Sequence, residues 1–93
     1  MIYLDYTANT PADPDVLGAY LAAERRYIAN PNSTHIAGQE ARAEMERVTQ
    51  SIAQHLGVQP AEIIYTSGAS EANNLALKGI AHASRHIGKH IIS

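Results

Sequence analysis

The chain has 93 residues, 45% of them apolar and 17% charged, with seven Lys and Arg against nine Asp and Glu for a net charge of −2. That balance suits a packed soluble core and argues against disorder, and it leaves no basic surface to neutralise a phosphate backbone, so nucleic acid is not an expected partner. Cysteine is absent, which excludes disulfides, thiolate chemistry and Cys-based metal sites within these residues. The longest apolar runs fall far short of the ~20 residues of a membrane helix and no signal peptide precedes them, so a soluble, cytoplasmic protein with no membrane partner is expected.

Residues 1–6 alternate in a way that allows a short extended segment, and 7–14 are a polar stretch broken by Pro11 and Pro14. From Pro14 the pattern is helical: Asp13 is placed to cap, Pro14 suits the first helical position, and Val16, Leu17, Tyr20, Leu21 and Tyr27 or Ile28 recur at helical spacing. Asn30-Pro31 ends it. Residues 30–35, Asn-Pro-Asn-Ser-Thr-His, are expected to form a loop whose Ser33 or Thr34 supplies the capping oxygen of a second helix.

That second helix is the most strongly patterned segment, because Ala41, Met45, Val48, Ile52 and Leu56 make one apolar stripe and Gly57 follows as a left-handed cap. Glu40, Arg42, Glu44, Glu46 and Arg47 occupy the other faces as a solvated, mixed-sign surface. Gln59-Pro60-Ala61-Glu62 is a turn, and Ile63-Ile64-Tyr65-Thr66 has the apolar, β-branched character of a buried parallel strand. A third helix is expected from Ala69 to about His86, turning Ala72, Leu75, Ala76, Ala83 and Ile87 towards a core, with Gly88 ending it. His90-Ile91-Ile92-Ser93 reads as a strand just begun.

Strand, helix and strand from residue 63 onward make a βαβ unit, hence a parallel sheet with a right-handed crossover. The predicted class is α/β: an N-terminal arm and first helix over 1–30, then a loop, a long helix and the start of an α/β domain over 31–93. Two short parallel strands expose ladder edges and an apolar face, so the pattern is that of a larger α/β protein interrupted partway.

The chemistry concentrates at Thr66-Ser67-Gly68-Ala69-Ser70-Glu71, which joins the carboxyl end of the expected strand to the start of a helix. Ligands of open α/β sheets bind there. Small residues allow close backbone approach, free amides precede the first helical bond, and the Ser70 hydroxyl adds a donor, a set suited to phosphate. The plainer alternative is that Ser67 caps the helix and Gly68 eases the turn. Glu71 is first a partner of the helix dipole. His82, His86 and His90 are spaced by four, but Gly88 falls between the last two and no carboxylate completes a ligand set, so surface histidines are expected.

Three segments together resemble the N-terminal part of cysteine desulfurases, pyridoxal-phosphate enzymes of the class V aminotransferase group with the aspartate aminotransferase type of fold. They are Tyr3-Leu4-Asp5-Tyr6 through Thr10-Pro11; residues 30–35 with Gly38 and Ala41; and Ile64 through Gly79, which includes Ser67-Gly68-Ala69-Ser70-Glu71-Ala72-Asn73-Asn74. The resemblance covers essentially the whole chain. It implies a homodimeric enzyme that takes sulfur from L-cysteine as a persulfide, releases alanine, and passes sulfur to an acceptor protein for iron–sulfur cluster or thio-cofactor assembly. It also implies that Gly68, Ala69 and Ser70 hold the phosphate of pyridoxal phosphate through backbone amides and a hydroxyl. The family carries Thr where Ser70 stands, and a small residue followed by Ala-Thr-Thr where this chain has Thr7-Ala8-Asn9-Thr10. By the same resemblance Ala8, Asn9, Thr10 and His35 lie near the substrate.

A desulfurase needs a lysine to hold the cofactor, an acid on its pyridine nitrogen, an arginine for the substrate carboxylate and a nucleophilic cysteine. In the resemblance all lie beyond residue 93, and neither Lys78 nor Lys89 matches the cofactor lysine. This chain by itself is therefore expected to be inactive and to hold no cofactor covalently. The alternative from another class is a small α/β binding module, or half of a split enzyme, that pairs with a complementary chain through its exposed strand edge.

Overall fold

Among the described residues three α-helices and one 3₁₀ turn follow in order: α1 over Pro14–Arg26, α2 over Ile36–Leu56, the turn over Pro60–Glu62, and α3 over Ala69–Ala83. The structure is a computed structural model and describes residues 1–92.

Helix α1 begins as its sequence dictates. Asp13 is the N-cap, its Oδ1 accepting the Asp15 amide at 2.8 Å, and Pro14 takes the first helical position, where no amide is needed. Asp15 in the first turn and Arg25 and Arg26 in the last complement the helix dipole.

Helix α2 departs from expectation at its start. The N-cap is His35, not Ser33 or Thr34, and ring Nδ1 accepts the Gly38 amide at 3.2 Å. The reason lies in the preceding loop, which folds back over the helix. The Asn30 side chain accepts the Asn32 amide at 2.8 Å, Ser33 N–H donates to the Asn30 carbonyl at 2.9 Å, and the Thr34 carbonyl receives Gln39 Nε2 at 2.8 Å. With 30–34 spent on that turn, the next side chain in line supplies the cap. Arg42 Nε fastens the loop further by donating to the Pro31 carbonyl at 2.9 Å.

The far end of α2 closes as expected. Gly57 has φ 68°, the left-handed conformation, and the amides of Gly57 and Val58 return to the carbonyls of Gln54 and Ala53. Gln59 N–H then donates to Glu62 Oε2 at 2.7 Å, closing the 3₁₀ turn, and the turn packs against α2, the one pair of elements among the described residues that pack together. Thr49 and Tyr65 hydroxyls meet at 2.7 Å and bring the following segment alongside. The charged faces are solvated as expected, with Arg47 forking onto both oxygens of Glu44 at the surface.

The expected βαβ unit is not formed among the described residues. Residues 63–66 and 90–92 have no ladder partner, and Ser93, the last residue of the second expected strand, lies outside the described residues. A parallel strand exists only through its neighbours' backbone, and none lies beside these segments. Helix α3 also ends earlier than expected: Ser84 is its C-cap, and Ile87 and Gly88 turn back onto the Ser84 carbonyl. His82 therefore lies in the helix while His86 lies in the turn after it, so the spacing of four does not carry through one helical face.

The apolar faces are in place without a common core. Among the described residues only Gly38, Ala41 and Ala53 are buried, all on α2, and neither α1 nor α3 contains a buried residue. Accessible area is 8617 Å², where a compact 10.0 kDa protein exposes about 5,200 Å². The radius of gyration is 18.3 Å against about 12 Å for a packed domain of this length. Val16, Leu17, Tyr20 and Leu21 of α1 and Leu75, Leu77 and Ile80 of α3 face outward. No helix is long and apolar enough to cross a membrane among the described residues.

Candidate functional site

The turn into α3 is tied from inside by side chains. Thr66 Oγ1 donates to the Gly68 carbonyl at 3.1 Å, and Asn74 Nδ2 donates to the Ser70 carbonyl at 2.8 Å. Glu71 reaches back across the turn: one carboxylate oxygen accepts both the Ser67 amide, at 2.8 Å, and the Ser67 hydroxyl, at 2.5 Å. These two bonds, hydroxyl first and amide second, hold the Glu71 carboxyl below the ordinary glutamate range.

Gly68 is the N-cap, in extended backbone, and no side chain caps the helix. The first intrahelical bond runs from the Ala72 amide to the Gly68 carbonyl, so the amides of Ala69, Ser70 and Glu71 lie in the first turn with no acceptor among the described residues. The Ser70 hydroxyl is likewise without a partner among them. The plainer alternative for Ser67 fails here, because its hydroxyl donates to Glu71 and caps no helical amide. Adjacent amides and a hydroxyl, with a helix dipole behind them, fit the oxygens of a phosphate group. Gly68 is not needed to make space, since a Cβ there would meet nothing within 4 Å.

The other expected site residues form separate local structures. In the arm, Ala8 and Asn9 donate their amides to the Asp5 carbonyl at 3.1 and 3.2 Å, and the Thr10 hydroxyl donates to the Tyr6 carbonyl at 2.9 Å. The Tyr3 hydroxyl lies 3.0 Å from the carbonyls of both Asp5 and Asn9, and the Tyr3 and Tyr6 rings meet edge to face at 5.3 Å. His35 caps α2. No hydrogen bond among the described residues joins the arm, His35 and the 68–70 turn.

Sequence reasoning missed the Glu71 clamp on Ser67, although the Ser-x-x-x-Glu spacing contains it. Glu71 stands at N3 of a helix capped by Gly68, the usual capping-box position, but its carboxylate reaches one residue further back, to Ser67 before the cap.

The turn into α3 thus presents a phosphate-type donor set among the described residues. The family model for aminotransferase class-V matches residues 2–93, and the chain belongs to that family, whose members have the type I pyridoxal-phosphate fold. The cysteine desulfurase of Homo sapiens is 48% identical over 93 residues, an alignment covering 99% of this chain and 20% of that protein. Cysteine desulfurase IscS of Dictyoglomus turgidum is 42% identical over 92 residues, covering 99% of this chain and 23% of that one. The IscS-like cysteine desulfurase of Mycobacterium tuberculosis is 43% identical over 90 residues, 97% of this chain and 23% of the relative. The chain thus spans about a fifth of the length of the curated relatives it matches. No solved structure matches it.

Proposed function

We propose that this chain is the N-terminal, cofactor-phosphate-holding part of a pyridoxal-phosphate-dependent cysteine desulfurase. The observation that carries the proposal is the free donor set of Ala69, Ser70 and Glu71, together with the Ser70 hydroxyl, at a turn in a chain of this family. Pyridoxal phosphate, when bound, supplies the electron sink for chemistry at the α-carbon of an amino acid. The chain's own part is to bind and orient. The three amides and the hydroxyl take the phosphate oxygens, and the Thr66, Glu71 and Asn74 ties hold the turn that presents them.

L-cysteine as substrate follows from the relatives' names, while an acceptor protein for the sulfur and a homodimeric parent are what the family resemblance implies, and all three belong to the proposal. The accessible area in excess of a compact protein supports reading α1 and α3 as elements that pack against further polypeptide. The same observation favours the second reading, a module that pairs with a complementary chain, and one experiment separates the two.

A chimera in which residues 1–93 replace the matching fifth of the Dictyoglomus turgidum desulfurase, given dithiothreitol to reduce the enzyme persulfide, is expected to release sulfide and alanine from L-cysteine. A folded chimera that binds pyridoxal phosphate but yields neither product overturns the desulfurase reading. The 93-residue chain alone, given pyridoxal phosphate and L-cysteine, is expected to yield neither. Borohydride reduction followed by mass spectrometry is expected to leave Lys78 and Lys89 unmodified by the cofactor.

A further inference from the structure

We propose that Glu71 is a positioning residue for the phosphate-holding turn: by accepting both donors of Ser67 it keeps that hydroxyl away from the amides that phosphate needs. The inference rests on the phosphate reading of residues 68–70 and deepens it. Ser67 stands one residue before the N-cap, two and three residues ahead of Ala69 and Ser70. A serine hydroxyl released at such a place turns to the amides two or three residues on, the common local serine turn. It would then occupy the donors that carry the site. In the structure this does not happen, because the Ser67 hydroxyl lies 2.5 Å and the Ser67 amide 2.8 Å from one oxygen of Glu71. The carboxylate acts through Ser67 and is not itself a ligand of the phosphate. Its charge opposes an incoming dianion, so what it contributes is geometry.

That separation of geometry from charge makes the role testable. Inorganic phosphate is titrated into the full 93-residue chain while the amide resonances of Ala69, Ser70 and Glu71 are followed, with those of Ser33 and Gly38 as a control for intact local structure. The wild-type resonances are expected to shift and saturate. Glu71→Ala is expected to weaken phosphate about fivefold, the effect of one net hydrogen bond. Glu71→Gln keeps the acceptor without the charge and is expected to bind at least as tightly as wild type. Removing the competitor as well, in Ser67→Ala/Glu71→Ala, is expected to recover most of the loss.

Three results overturn the inference while leaving the phosphate reading intact: Glu71→Ala binding as tightly as wild type, Glu71→Gln as weak as Glu71→Ala, or no recovery in the double variant. A wild-type chain whose 69–71 amides do not respond to phosphate overturns the phosphate reading, and this inference with it.

Discussion

Gly38 and Ser33 are in such close contact that a Cβ on Gly38 would lie 2.6 Å from the Ser33 carbonyl oxygen and 2.8 Å from the Ser33 Cβ. The Asn30 carbonyl stands equally near, at 2.8 Å. Two of the three obstacles are backbone, so the loop itself must move to admit a methyl group. Gly38→Ala is expected to cost about 1–3 kcal/mol, the range for overfilling a packed site. Urea denaturation followed by circular dichroism measures it, and faster hydrogen exchange at the Ser33 and Gly38 amides should accompany it.

His35 gives a second, milder case. Its Nδ1 satisfies the Gly38 amide at the start of α2. His35→Ala is expected to cost about 1 kcal/mol of helix stability and His35→Asn much less, because asparagine is a good N-cap. Equal losses in the two variants would show that the ring matters for something other than the cap.

Gly57 marks the other end of α2. At φ 68° it occupies backbone that an L side chain enters at a cost of roughly 1–2 kcal/mol. Gly57→Ala should lower helix stability by about that amount. The loss is expected without any steric clash, since nothing lies within 4 Å of a Cβ there.

The Glu71–Ser67 pair predicts a pH dependence. Glu71 titrates below its ordinary value of 4.5, first through the Ser67 hydroxyl and then through the Ser67 amide. A carboxyl whose folded value is depressed contributes stability that is complete above its unfolded value and is lost as pH falls through the folded one. Carbon-detected NMR titration of Glu71 is expected to show this low value, and Ser67→Ala should move it part of the way back towards 4.5. An unchanged titration in that variant would remove the hydroxyl as the principal cause.

Which parts of this were legible in the sequence follows the range of the forces involved. The Asp13 cap, Pro14 start, α2 stripe and Gly57 stop are written in residues within a few positions of one another, and all appear where expected. Propensity favours Ser33 or Thr34 as the cap of α2, yet His35 supplies it because the Asn30 turn takes up the residues before it. The expected strands at 63–66 and 90–92 depend on distant partners, which no local pattern supplies. The free donors of residues 69–71 were legible from small residues at a helix start, while the Glu71 clamp was not, because a carboxylate at N3 ordinarily reaches the cap and here reaches Ser67 before it.

The loop over α2 also bears on how the chain acquires structure. Its bonds span short distances in sequence, eleven residues at most for Arg42 and Pro31, and the Gly57 cap and the 3₁₀ turn are equally local. Segments closed by such short loops form early and quickly, ahead of contacts that must wait for remote sequence. Residues 30–65 are thus expected to acquire structure first: pulse-labelled hydrogen exchange should find α2 protected ahead of α1 and α3.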